Sequence, residues 1–332
     1  MTAPDRPDHH APGGGFRNPP GGPGRVRSLR EMLPFILRFL LSDRMPPVPD
    51  GHVLPRDEVM AGLAAAGNPG VTWLGHAAFI VRLGGKVVLT DPFLGEKASP
   101  AFANIRRYVP AALGPDEVPR ADAIVVSHNH YDHLDAVAIA AYPHKDTTQV
   151  VVPLGLGRFF TRRGYARVAE LDWWQAWEGD GLRVTVLPAV HASGRTPFDR
   201  NRTLWASMAI EAGGERVWFA GDTAAGPVFD EIGARMGPFD LALVPIGAYE
   251  PRQIMRAVHA TPEEAVAIAR AVGARTAVAM HWGTIMLTPE DPFEAPGRFH
   301  RAAADQGYGV DNAWVLKIGE SRAFPAGAEG RS

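Results

Sequence analysis

Between Val71 and Met280 the chain alternates short apolar runs with polar turns and amphipathic stretches. Val71-Thr72-Trp73-Leu74 and Phe79-Ile80-Val81-Arg82-Leu83 read as a strand pair, and Lys86-Val87-Val88-Leu89-Thr90 follows the Gly84-Gly85 turn. Further runs of strand length are residues 123–126, 149–152, 183–187, 206–210, 216–219, 241–244 and 276–280. Residues 262–272 carry helical periodicity instead, and Thr261 before Pro262 is a favoured N-cap and N1 pair. Strands in two clusters with helices between them predict an α/β molecule: sheets packed face to face, helices outside.

The N-terminal part breaks from this pattern. Residues 1–24 are dominated by Pro and Gly, a composition that buries too little surface to offset chain entropy, so a disordered tail is expected. Ser28-Leu29-Arg30-Glu31 has the form of a capping box, and Met32 to Leu41 is apolar except for Arg38. That run is shorter than the roughly 20 residues needed to cross a bilayer, and Pro34 would strain a helix. Residues 25–69 are therefore expected to form an apolar helix and linker. Residues 29–41 would pack on the main domain, on a second subunit, or in a membrane interface.

Composition narrows the chemistry. The 332 residues are 46% hydrophobic, enough for one large domain or two, and the formal net charge of −2 leaves no footprint for nucleic acid. There are no cysteines, which removes disulfides, thiol nucleophiles and thiolate ligands together. Any metal must sit on His, Asp and Glu. The N-terminus lacks the basic-then-apolar plan of a secretory signal, which favours the cytoplasm.

One segment carries the chemistry. His128-Asn129-His130-Tyr131-Asp132-His133 sets three imidazoles and a carboxylate in six residues, directly after an apolar run. Imidazole suits zinc or iron, and a carboxylate supplies charge for a second divalent ion. Asp91, His191, Asp222 and His281 each follow a predicted strand, where a rigid element meets an accessible loop. Taken singly, a strand-end His or Asp is more often an ordinary core or turn residue. Together they sit at equivalent places and give the first segment its partners.

In that order the motifs resemble the metallo-β-lactamase superfamily over roughly residues 70 to 322. The surrounding words are similar to the N-acyl-phosphatidylethanolamine-hydrolysing phospholipase D family: Thr72-Trp73-Leu74-Gly75-His76-Ala77, Ser127 to Asp135, Phe219-Ala220-Gly221-Asp222-Thr223, Gly237 to Arg252, and Met280-His281-Trp282-Gly283-Thr284. The resemblance implies an αββα sandwich with two zinc ions at one sheet edge. His128, His130 and His191 would hold one ion, and Asp132, His133 and His281 the other, with Asp222 bridging both. A hydroxide shared by two ions about 3.5–4 Å apart would then attack a phosphodiester. The implied reaction is phospholipase-D-type cleavage of N-acyl-phosphatidylethanolamine to N-acylethanolamine and phosphatidic acid.

Asp132 and Asp222 are the expected catalytic carboxylates, and His259 matches a histidine placed near the family's active site. It would assist the leaving oxygen or contact the phosphate; the bland alternative is a surface His before a helix. Asp91 is expected to orient a ligand His. His76 is expected either to orient a ligand or to support the first hairpin. His9, His10, His52, His144 and His300 receive no role, and Trp173, Trp174 and Trp177 are expected in a core or a subunit contact. The expected partners are a phospholipid or other phosphodiester, a membrane surface on the cytoplasmic side met through residues 29–41, and a second copy of the chain. Two other functions remain open: a sugar-phosphate lactonase resembling L-ascorbate-6-phosphate lactonases, and a non-catalytic, metal-stabilised scaffold at the membrane.

Overall fold

Strand alternation decides which residues face which layer. In β2 (Ala78–Leu83), Phe79, Val81 and Leu83 face one apolar cluster, while Ala78 and Ile80 face another. The same split separates Ala123 and Val125 from Ile124 in β4 (Ala123–Val125), and Val151 from Val150 and Val152 in β5 (Gln149–Pro153). A strand apolar on both sides must be covered on both, so it lies inside a layered molecule. The computed structural model describes residues 7–24, 46–99 and 105–325. It shows two seven-stranded sheets facing each other across the larger cluster, with helices against the outer faces. This is the expected αββα sandwich.

The first sheet has the order β14-β1-β2-β3-β4-β5-β6, with β1 at Gly70–Gly75, β3 at Lys86–Thr90, β6 at Arg167–Leu171 and β14 at Ser321–Ala323. The second runs β13-β12-β11-β10-β9-β8-β7. Its strands are β7 at Ala176–Gly179, β8 at Leu182–Leu187, β9 at Ser207–Ala212, β10 at Glu215–Phe219, β11 at Phe239–Pro245, β12 at Ala274–Met280 and β13 at Ala313–Trp314. Helix α1 (Arg56–Ala65) sends Val59 into the outer cluster of the first sheet. Helices α2 (Ala136–Ala141) and α3 (Gly157–Thr161) cover the same face through Ile139 and Phe160. On the second sheet lie α4 (Val228–Met236), a short α5 (Arg252–Met255), α6 (Pro262–Ala271) and α7 (Ala295–Asp305). The expected cap of α6 is present in full. Thr261 Oγ1 accepts from Glu264 N, and the Glu264 side chain accepts from Thr261 N.

Pairing directions place the site. Strands β3 and β4 are parallel, and so are β10, β11 and β12. Strand β8 is antiparallel to β9, which is antiparallel to β10, so β8 and β10 finish at the same edge. Strand β1 is related to β3 in the same way through β2. The residues following β1, β3, β4, β8, β10 and β12 therefore meet at one end of the sandwich.

Within the N-terminal region, residues 7–24 make specific contacts with the fold: His10 and Phe16 form a β-bridge, and Phe16 packs on the main core. His9 and His10 both reach Asp172, and Asn18 Oδ1 accepts from His191 N at 2.9 Å. The apolar run 29–41 and its capping box lie outside the described residues. Trp173 is buried, with Nε1 donating to Trp205 O, and Trp174 and Trp177 lie against the core.

Candidate metal centre

The segment after β4 is extended, so alternate residues point the same way, and His128 and His130 bring their rings to 4.4 Å. Gly221 lets the loop after β10 come alongside. Its φ is +58°, and a Cβ there would stand 2.5 Å from the Ser127 Cβ, so only glycine fits. Asp222 is thereby set among the histidines. Its Oδ2 lies 3.1 Å from His133 Nε2, 3.7 Å from His191 Nε2 and 3.9 Å from His128 Nε2, while Oδ1 is 3.2 Å from His281 Nε2.

All seven sequence-selected ligands converge and are buried or nearly so. They fall into two groups of four whose ligating atoms lie within 4.8 Å of one another: His128, His130, His191 and Asp222, and His76, Asp132, His133 and His281. His76 is the addition. Its Nε2 lies 3.0 Å from Asp132 Oδ2 and its Nδ1 2.8 Å from Thr284 Oγ1, so it orients Asp132 and ties the first hairpin to the loop after β12.

Tautomers can be read outward from the core. Asp91 Oδ1 accepts from Ser127 N at 2.7 Å, and Oδ2 accepts from Ser127 Oγ and from His133 Nδ1, each at 2.6 Å. With its hydroxyl hydrogen on Asp91, Ser127 Oγ can only accept from His128 Nδ1, 2.9 Å away. His191 Nδ1 donates to Val258 O at 2.7 Å. When neutral, each of these three rings therefore turns an unprotonated Nε2 inward, as metal-binding histidines anchored from behind do. His128 Nε2 meets His130 Nδ1 at 2.8 Å, and His191 Nε2 meets the same atom at 3.3 Å. Three ring nitrogens crowd one point, where at most one carries a hydrogen. Among the described residues, the buried His133 Nε2, His281 Nε2 and Asp222 Oδ1 make no well-aligned hydrogen bond, only the ion-pair contacts given above. A divalent cation in each group would satisfy these atoms, so the donor set fits two metal ions.

Charge agrees. Burial alone would raise Asp132 and Asp222, yet the surrounding histidines hold both well below the usual carboxylate range. Burial likewise opposes a proton on His133 and His281, but Asp222 and Asp132 overcome it. His133 is raised well above its ordinary value and His281 to about 9. The cluster thus demands positive charge at its centre. Its frame is also strained: His76, Asp91 and His281 hold φ of +57°, +28° and +60°, conformations that L residues rarely adopt and that cluster at functional sites.

His259 lies at the rim of this centre, its ring 5.2 Å from those of both His191 and His281. It is 7% exposed and its Nδ1 has no partner among the described residues, so the surface-histidine reading does not hold. Burial pushes it down to about 4, so the ring is neutral at pH 7. Arg195, which carries no signal in the sequence, fastens the candidate ligand loop. Its Nη1 donates to Asn129 O at 2.9 Å and Leu134 O at 2.8 Å, and its guanidinium stacks 3.8 Å over the Tyr131 ring. A lone Arg in a turn carries no periodic or motif signal.

Known proteins bear on the same residues. The family profile described as Beta-lactamase superfamily domain matches residues 86–282, more than half of the chain. The chain is 40% identical over 237 residues to N-acyl-phosphatidylethanolamine-hydrolyzing phospholipase D 1 of Caenorhabditis elegans, a match spanning 68% of this chain and 67% of that one. It is 32% identical over 255 residues to a UPF0173 metal-dependent hydrolase of Methanopyrus kandleri, covering 76% and 98% of the two chains. Among solved structures, a possible metal-dependent hydrolase from Veillonella parvula superposes with a TM-score of 0.61 at 19% identity, over 77% of this chain and all of that one, a likeness of fold alone. With the sandwich and the ligand cluster in hand, these matches show that the chain belongs to the metallo-β-lactamase superfamily and is a metal-dependent hydrolase.

Proposed function

We propose that the chain is a phosphodiesterase of the phospholipase D type, acting on an N-acylated phosphatidylethanolamine with two zinc ions. One observation carries the reading: seven candidate ligands, six of them buried, form two adjacent groups joined by Asp222, in a chain 40% identical over most of its length to a phospholipase of that class. Two divalent ions, when bound, supply a nucleophile from water near neutral pH and withdraw charge from a phosphoryl oxygen. His128, His130 and His191 would hold one ion and Asp132, His133 and His281 the other, with Asp222 facing both.

The remaining residues orient and exclude. Asp91, Ser127 and Val258 fix the ligand tautomers from behind. His259, neutral at pH 7, offers a ring N–H to a phosphoryl oxygen rather than a cation. In the reaction the bond between phosphorus and the ethanolamine oxygen breaks, water's oxygen bonds to phosphorus, and the leaving oxygen takes up a proton.

Lipid access draws support from the loop between β8 and β9. Phe198 is 92% exposed and the exposed Arg200 stands two residues on, an aromatic with a nearby cation that suits an anionic phospholipid surface. No helix among the described residues is long and apolar enough to cross a membrane. The test is hydrolysis by zinc-loaded protein of N-acyl-phosphatidylethanolamine in vesicles, followed by release of N-acylethanolamine and phosphatidic acid. Rapid turnover of small phosphodiesters with none of the lipid would overturn the substrate assignment.

A further inference from the structure

His9, His10 and Asp172 form a second cluster of metal-ligating groups, built from other residues than the dinuclear centre. His9 Nε2 lies 2.6 Å from Asp172 Oδ1 and His10 Nε2 lies 2.7 Å from Asp172 Oδ2, so two adjacent imidazoles meet both oxygens of one carboxylate. All three ligating atoms lie within 4.8 Å of one another. The rings are held in place. His9 stacks on Trp173 at 4.2 Å and 24°, and His10 sets its edge against Phe16 at 5.1 Å. Asp172 is fixed by its own turn: Oδ1 also accepts from Trp173 N at 2.8 Å, and Asp172 N donates to Gln175 Oε1 at 2.9 Å.

We infer that this cluster is a further metal site, taking a single divalent cation of the zinc class and fastening residues 7–24 to the body of the fold. Two imidazoles and a carboxylate are the donor set that such ions prefer, and three protein ligands leave a position for water. The side chains of His9, His10 and Asp172 are 12%, 19% and 13% exposed, buried enough to hold an ion and open enough to admit one. A neutral ring that now donates from Nε2 needs only to carry its hydrogen on Nδ1 instead. The nitrogens and oxygens would move apart by about 0.7 Å to surround an ion bound tetrahedrally at roughly 2.0–2.1 Å.

The segment has reason to need such a staple. It is rich in Pro and Gly, and small elements with little apolar surface hold together through metals or cross-links. It also reaches the dinuclear centre: Asn18 accepts from the backbone N–H of His191, so fastening residues 9 and 10 steadies a segment that braces a candidate ligand.

Metal stoichiometry tests the inference directly. Full-length protein stripped by chelator is titrated with Zn2+ alone by calorimetry, and the bound metal is counted by elemental analysis. The same is done for the His9→Gln/His10→Gln variant. The variant should bind one equivalent fewer than the wild type. Equal stoichiometry in the two proteins would show a hydrogen-bonded clamp without metal and overturn the site. Should the double variant misfold, Asp172→Asn decides on the same count: it can still accept hydrogen bonds but lacks the ligand charge, so it should lose the same single equivalent. Because the readout is a difference in equivalents, it stands apart from any substrate assigned to the dinuclear centre.

Discussion

Asp91 never faces the centre of the metal cluster, yet three bonds from Ser127 and His133 end on it, in a wholly buried position. Replacing it by Asn keeps the shape but turns an amide hydrogen toward His133 Nδ1–H. Asp91→Asn should weaken metal binding about 10–100-fold, the usual cost of losing a carboxylate behind a ligand histidine. Zinc affinity measured by competition with a chelator checks this, and an unchanged affinity would remove Asp91 from the ligand support. His259 makes the opposite case, a buried ring with an unpartnered nitrogen beside two candidate ligands. His259→Gln should lower kcat about 100-fold with bound metal unchanged. Wild-type kcat in that variant would return His259 to a packing role.

At the scale of elements, the loop between β8 and β9 is the fastening for the loop after β4. Arg195 crosses from one to the other and occupies two backbone carbonyls, while Gly194 N donates to Asn129 Oδ1 at 2.6 Å. Arg195→Ala leaves both carbonyls without their charged donor, a loss of about 2–4 kcal/mol. Thermal melts should show the destabilisation. Metal content should fall with it, because Asn129 and Leu134 bracket the candidate ligands His130, Asp132 and His133. Lysine should rescue only in part, since an ammonium cannot stack flat on Tyr131 while reaching both carbonyls. Retention of both stability and metal content in Arg195→Ala would show that the loop holds its shape unaided.

For the whole molecule, two properties follow from a charged centre at one end of an apolar sandwich. Metal bound only by the folded state stabilises it by about 3–4 kcal/mol at 100 to 1,000 times the dissociation constant. Chelation should therefore lower the melting temperature by several degrees and Zn2+ should restore it; a melting temperature indifferent to chelator would sink the dinuclear site. The second property concerns the rim. Phe198→Asp should reduce turnover of vesicle-borne lipid about 10-fold or more, by losing the apolar contact of one aromatic side chain, and leave small soluble diesters untouched. Equal loss on both substrates would place Phe198 in folding rather than in lipid contact.

The sequence alone determined the parts whose information is local. The apolar runs marked the interior strands because those strands are covered on both faces, and the two-residue spacing of His128 and His130 put their rings side by side, whereas Asp132 and His133 are brought round by a turn in which His133 N and Leu134 N donate to His130 O. The strands it missed, β6, β7, β13 and β14, are the outermost of their sheets. Edge positions carry exposed and charged residues such as Arg167, Glu170, Glu178 and Arg322, which hide the apolar period and guard against edge pairing. Only the tertiary structure could decide the rest. Asn18, Arg195 and the pairing of His9 and His10 with Asp172 act across long stretches of chain, through single polar contacts that no window of sequence contains. The joining of seven candidate ligands was likewise decided by strand direction and by Gly221, because convergence is a property of pairing and close approach rather than of residue order.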